Sequence, residues 1–243
     1  FNSVGGKEQF DEVSIQLHRT DKHDANTNEE AMASLVISVK SKDPNLVGRL
    51  FSAKIIELAL ANIPGFFAQS GVKTSGPVIV YWPALVKSKY IKEIVHVDGK
   101  DIEVEPTSQL NLEEIYYQKE PVKLEKIEIK GERELYFGEL FGTRSGDKGG
   151  CANLGVWAKN SQAFAFLYDF LTVDKLKDLL PDLQEFKIER FELANINSLN
   201  FYIHDILQDG VSSNNRKDGQ AKSLGEYLRS KKIKVPESII GDL

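Results

Sequence analysis

The sequence predicts an α+β fold divided into two α/β sandwich-like units. Three observations carry that expectation. Apolar residues alternate at period two in both halves of the chain. Each half also carries apolar positions at helical spacing, and strands and helices are interspersed without a regular βαβ succession. The 243 residues are 41% hydrophobic and 28% charged, close to the average for a globular chain, so a sizeable core can form.

The elements follow in order. "DEVSIQLHR" places Val13, Ile15 and Leu17 on one face of a strand, and "ASLVISVKS" repeats the pattern with Leu35, Ile37 and Val39. The polar stretch between them reads as a loop, so the two strands can pair antiparallel. Leu46, Leu50, Ile55, Leu58 and Ala59 then fall at helical spacing, with Asp43 as a cap, Pro44 in the first turn and Pro64-Gly65 as the stop. "GPVIVYWPALV" reads as a buried strand broken at Pro83, and "IKEIVHVDGKDIEVEP" as a hairpin turning at Asp98-Gly99.

In the second half, "ERELYFGELFG" reads as an apolar strand. "CANLGVWAK" is a further strand, with Ala152, Leu154, Val156 and Ala158 on one face. "NSQAFAFLYDFLTVDKLKDLLPDL" reads as two helical pieces, the second capped by Thr172 and ended by Pro181. "EFKIERFEL" reads as a strand. "NSLNFYIHDILQDG" spaces Leu199, Tyr202, Ile203, Ile206 and Leu207 helically, and "GQAKSLGEYLRSKK" reads as a closing helix with Asp218 as its cap. The basic run "RSKKIKVP" reads as the solvated end of that helix. The expected division is an α/β unit over residues 1–110, a charged linker over 111–131, and a second domain over 132–243.

Composition excludes several functions. The net charge of −5 arises from 36 acidic and 31 basic residues mixed along the chain, which argues against a nucleic-acid surface. No apolar run approaches the ~20 residues of a membrane span. The single cysteine rules out an internal disulfide and points to a reducing, cytoplasmic setting. The chain lacks both an initiator Met and the shape of a signal peptide, which predicts a processed product or, the preferred reading, a C-terminal portion of something longer.

"GTRSGDKGGCANLGVWAK", residues 142–159, is the candidate site. It reads as a glycine-rich loop between two strands. Glycines at 146, 149 and 150 permit positive φ, which lets main-chain N–H groups converge. Arg144 and Lys148 add two cations, and Asp147 can orient a ligand or exchange a proton. The loop matches neither a Walker pattern nor G-x-G-x-x-G. Cys151 has no histidine near it in sequence, so it reads as a small strand residue rather than a nucleophile. His18, Asp21, His23 and Asp24 match no zinc spacing. Lys222 lies beside the polar loop that enters the last helix and offers a further cation.

The string Arg144-Ser145-Gly146-Asp147-Lys148-Gly149, followed two residues later by Ala152-Asn153-Leu154-Gly155, resembles the acyclic terpene utilisation protein A (AtuA) family. "NSLNFYIHDILQDGVS" and "DGQAK" extend the resemblance, although the family pattern D-x-x-G-K meets Ala221 where it has glycine. The upstream half is similar to the end of that family's large N-terminal region. The resemblance implies a ferredoxin-like C-terminal domain and a role in catabolism of acyclic terpenes beside acyl-CoA enzymes. It implies no established reaction and leaves the cofactor unknown.

Two functional readings follow. In the first, the chain binds a small anionic metabolite, a carboxylate or CoA-type acyl compound. Asp147 and Lys148 then form the catalytic pair, and Arg144, Ser145, Gly146, Gly149, Asn153 and Lys222 bind the ligand. In the second, the chain is a non-catalytic module that forms a homo-oligomer or docks an acyl-CoA pathway enzyme through Phe164, Phe166, Tyr168 and Phe170, although the helical positions of Tyr168 and Phe170 favour a place in the core.

Overall fold

The computed structural model describes residues 1–59, 61, 63–68, 75–104, 122, 124 and 131–240. These fall into two compact units, Phe1–Ile79 and Val80–Leu243. The linker predicted over 111–131 lies almost wholly outside the described residues.

In the first unit β1 (Glu12–Arg19) and β2 (Ala33–Lys40) pair antiparallel, with Val13 opposite Val39, Ile15 opposite Ile37 and Leu17 opposite Leu35. The two predicted apolar faces thus become one. Its far end is uncovered, since Ile15, Leu17 and Leu35 are about half exposed. Asp43 caps α1 (Pro44–Val47) by accepting from the Asn45 N–H, and Gly48 separates it from α2 (Arg49–Ala59). Phe1, Phe10 and Phe51 form an aromatic cluster with ring centroids 5.8 to 6.0 Å apart.

The second unit opens on residues 80–87, which form no strand and are exposed, contrary to the buried strand expected there. Proline at 83 interrupts any ladder, and among the described residues the segment joins no sheet, although the Tyr81 N–H donates to the Asp209 carbonyl at 3.1 Å. The hairpin of β3 (Glu93–Val97) and β4 (Lys100–Val104) turns at Asp98-Gly99, both at positive φ. β5 (Glu132–Tyr136) leads through a single helical turn, α3 (Phe137–Leu140), into β6 (Phe141–Lys148) and β7 (Cys151–Ala158). α4 (Ser161–Phe170) and α5 (Val173–Leu179) follow, their first turns capped by Asn160 and Thr172. β8 (Ile188–Leu193) and β9 (Ser198–Ile203) then complete an antiparallel sheet of order β6-β7-β9-β8.

Two sequence readings are corrected here. Residues 198–203 are a strand, not a helix. Leu199, Phe201 and Ile203 alternate inward with zero exposure, and pairing on both sides by β7 and β8 favours the extended form over the competing helical spacing. The closing helix, α6 (Leu224–Arg229), is short. Lys232–Pro236 form β10, paired antiparallel with β5, rather than a solvated helix end.

The core lies on one face of the four-stranded sheet. Leu154, Val156, Leu199, Phe201 and Ile203 pack there against Phe164, Leu167, Leu171 and Leu176 of the helical layer. Phe164 is buried, and Phe166, Tyr168 and Phe170 pack against this core, so these aromatics take the core role their helical positions favour rather than that of a partner face. Arg190 extends the same packing: its guanidinium lies over the Tyr168 ring at 4.6 Å and donates to the Tyr168 carbonyl at 2.6 Å.

Candidate functional site

The stretch expected to be a loop is a strand. β6 runs in ladder geometry through Lys148, and only Gly149-Gly150 turns the chain into β7. The turn explains two of the three glycines. Gly149 has φ +64, the left-handed region glycine favours. A Cβ at residue 150 would stand 2.1 Å from the Gln208 carbonyl oxygen. Gly146 is neither strained nor crowded: its φ is not in the left-handed region, and a Cβ there would meet nothing within 4 Å.

Because side chains alternate along a strand, this register divides the predicted site between two faces. Arg144, Gly146 and Lys148 lie opposite Gly155, Asn153 and Cys151 and share the face turned away from the core. Ser145 and Asp147 lie on the other. There Ser145 is a fastener: its Oγ accepts from the Gly225 N–H at 2.9 Å and donates to the Lys222 carbonyl at 3.2 Å. Lys222 is therefore tied to Ser145 through its backbone, while Asp218 accepts from the Lys222 and Ser223 N–H groups. Asp218 caps the turn ahead of α6 rather than the helix itself, whose cap position is Ser223. Ala221, where the family pattern has glycine, has φ +52, so that glycine suits a left-handed backbone without any ligand.

The open face is laid out in rows by the strand pairing. One row reads Gly146, Asn153, Tyr202, Glu189, and the next Arg144, Gly155, Asn200, Phe191. A third reads Gly142, Trp157, Ser198, Leu193. Arg144 makes no hydrogen bond or ion pair among the described residues, and Lys148 Nζ donates only to the Asp147 carbonyl, at 2.7 Å. Asn153 Nδ2 donates to Asn200 Oδ1 at 3.3 Å. At residue 155 a Cβ would meet only the Arg144 carbonyl oxygen, at 3.5 Å. The middle of the face is thus a floor without side chains at Gly146 and Gly155, bordered by two amides and a guanidinium free to bind an anion.

At the turn end, titratable groups gather that sequence reasoning did not assign to the site. The Cys151 side chain first, then burial, raises the Tyr202 phenol above its usual 10. His204 Nε2 meets Glu189 Oε1 at 2.6 Å, and this partner holds the Glu189 carboxyl below its ordinary range. The Tyr202 and His204 rings meet edge to face at 4.9 Å. Cys151 accepts from the Asp205 N–H at 3.5 Å. The signal that would have found Asn200 and Tyr202 was the period-two pattern of residues 198–203, masked by the helical one. Among the described residues, no cluster of three or more His, Cys, Asp or Glu is placed to hold a metal ion. Near β1, Asp21 is instead paired with Arg19 at 2.6 Å, which lowers its carboxyl to about 2.

An antiparallel four-stranded sheet with helices on one face is the class of structure the C-terminal half defines, and residues 137–234 match the family model of the AtuA ferredoxin-like domain. Residues 2–97 match the acyclic terpene utilisation family protein AtuA. The chain belongs to this family, which ties it to acyclic terpene utilisation. No curated protein and no solved structure matches it. Among the described residues no helix is long and apolar enough to cross a membrane.

Proposed function

We propose that the open face of the β6-β7-β9-β8 sheet binds a small anionic metabolite of acyclic terpene catabolism, a carboxylate or CoA-type acyl compound. Arg144 and Lys148 supply the charge, and Asn153 lines the floor. One observation carries this reading: Arg144, Gly146, Lys148 and Asn153 share a face on which Gly146 leaves space that no described residue fills. A guanidinium suits a carboxylate or phosphate because its fork donates two parallel hydrogen bonds. Ser145, Asp147 and Lys222 lie on the far side of β6, where Ser145 holds the strand to α6 and so keeps Arg144 in place.

Calorimetric titration with CoA and with small terpenoid acids tests the proposal. Binding that falls at least tenfold in Arg144→Ala, about 1.4 kcal/mol or more, supports it. Binding unchanged in both Arg144→Ala and Lys148→Ala overturns it.

The assembly reading has its own support in the half-exposed Ile15, Leu17 and Leu35 of the first unit. Light scattering on the eluting protein decides it. A dimer that Leu17→Lys dissociates favours assembly, and a monomer at all concentrations removes it.

A further inference from the structure

Three contacts converge on His204, at the turn end of the open face. Its backbone N–H donates to the Lys187 carbonyl at 3.0 Å, its ring meets the Tyr202 ring edge to face at 4.9 Å, and its Nε2 meets Glu189 Oε1 at 2.6 Å. A carboxylate only accepts, so Nε2 carries the hydrogen and Nδ1 of the neutral ring keeps its lone pair. The contact favours the charged form of Glu189, and Lys187 Nζ lies 3.4 Å from the same oxygen. Nδ1 has no partner among the described residues, and the side chain is 26% exposed. An imidazole so fixed, with one basic nitrogen open, suits a general base.

The same end of the sheet carries a cation of the proposed anion site. Lys148 lies opposite Cys151, and Asp205, the neighbour of His204, donates its N–H to Cys151 Sγ at 3.5 Å. His204 thus stands two strand spacings from Lys148, roughly 10 Å. One row back on β7, Asn153 Nδ2 donates to Asn200 Oδ1, and among the described residues its second hydrogen is left for a ligand oxygen.

We propose that His204, oriented by Glu189, is the general base of this face, and that it moves the proton on the carbon next to the carbonyl of an acyl thioester. The inference rests on the proposed anion site and narrows its ligand to the thioester. A free carboxylate does not serve, because losing its α-proton would put a second negative charge on the same group. In the step, Nδ1 takes the α-proton and the C–H pair becomes the C–C double bond of an enolate. The carbonyl pair moves onto oxygen, toward the Asn153 amide, while Glu189 faces the imidazolium. Return of the proton to carbon restores both.

The test follows the α-hydrogens of isovaleryl-CoA by proton NMR, with the full chain in D2O. Their signal is expected to fade as deuterium replaces them, while isovalerate keeps its own. His204→Ala should slow the exchange at least a hundredfold, with calorimetric affinity for isovaleryl-CoA and melting temperature unchanged. Added imidazole should restore part of the rate, which a merely structural ion pair does not predict. Glu189→Ala should slow exchange without weakening binding. Bound isovaleryl-CoA that does not exchange, or exchange that survives in both His204→Ala and His204→Gln, overturns the inference and leaves the anion site standing. If the chain binds neither CoA nor isovaleryl-CoA, the anion site fails and the inference falls with it.

Discussion

The two faces of the C-terminal sheet are built from the same strands and answer to different demands. On the inner face Leu154, Val156, Leu199, Phe201 and Ile203 are wholly buried, and each is fixed by what packs on it. On the outer face Gly146 leaves space that no described residue fills, and the Arg144 side chain stands without a partner among the described residues. The inner face explains why the domain folds. The outer face carries a cation that no described residue pairs, and the proposed ligand-directed role rests there.

Substitutions should separate the two. Phe201→Ala, on the inner face, is expected to cost about 3–5 kcal/mol in denaturant unfolding, since it leaves a cavity between sheet and helices. Gly150→Ala should cost about 2–3 kcal/mol, because the Gln208 carbonyl must shift to admit the methyl. Ser145→Ala should cost about 1–2 kcal/mol by stranding the Gly225 N–H. Arg144→Ala, one residue away on the outer face, should stay within about 0.5 kcal/mol of wild type. If Arg144→Ala proves as costly as Ser145→Ala, the contrast between the faces collapses.

A smaller effect concerns the phenol of Tyr202. A folded-state pKa above the unfolded value means that the protonated form is favoured in the fold. The resulting stability is present below pH about 10 and is lost as the pH rises through the raised value. Removing the sulfur in Cys151→Ala should bring the Tyr202 titration back toward 10, read as the ultraviolet phenolate signal that Tyr202→Phe deletes. A titration unmoved by Cys151→Ala would leave burial and the nearby Asp205 and Glu189 carboxylates as the causes.

How much of this was legible in the sequence varies by element. Period two located β1, β2 and β7, and Asp43, Thr172 and the Asp98-Gly99 turn were readable because local chemistry decides caps and tight turns. Residues 198–203 were misread because Leu199, Tyr202 and Ile203 fit a helix as well as a strand, and only pairing with β7 and β8 breaks the tie. β10 was missed because its partner β5 lies about a hundred residues away in sequence. The site motif was visible as letters, but its division into two faces was not. Reading residues 142–150 as a loop hid the alternation that places Arg144 and Lys148 on one side and Ser145 and Asp147 on the other.

The most direct measurement is an NMR titration of the full chain with CoA, mapping which backbone amides shift. The account predicts saturable shifts concentrated at Arg144, Gly146, Asn153, Gly155 and Asn200, all lost in Arg144→Ala, with Lys222 and Gly225 unmoved. Saturable shifts centred on Ser145, Lys222 and Gly225, or a binding curve that Arg144→Ala leaves intact, would contradict it.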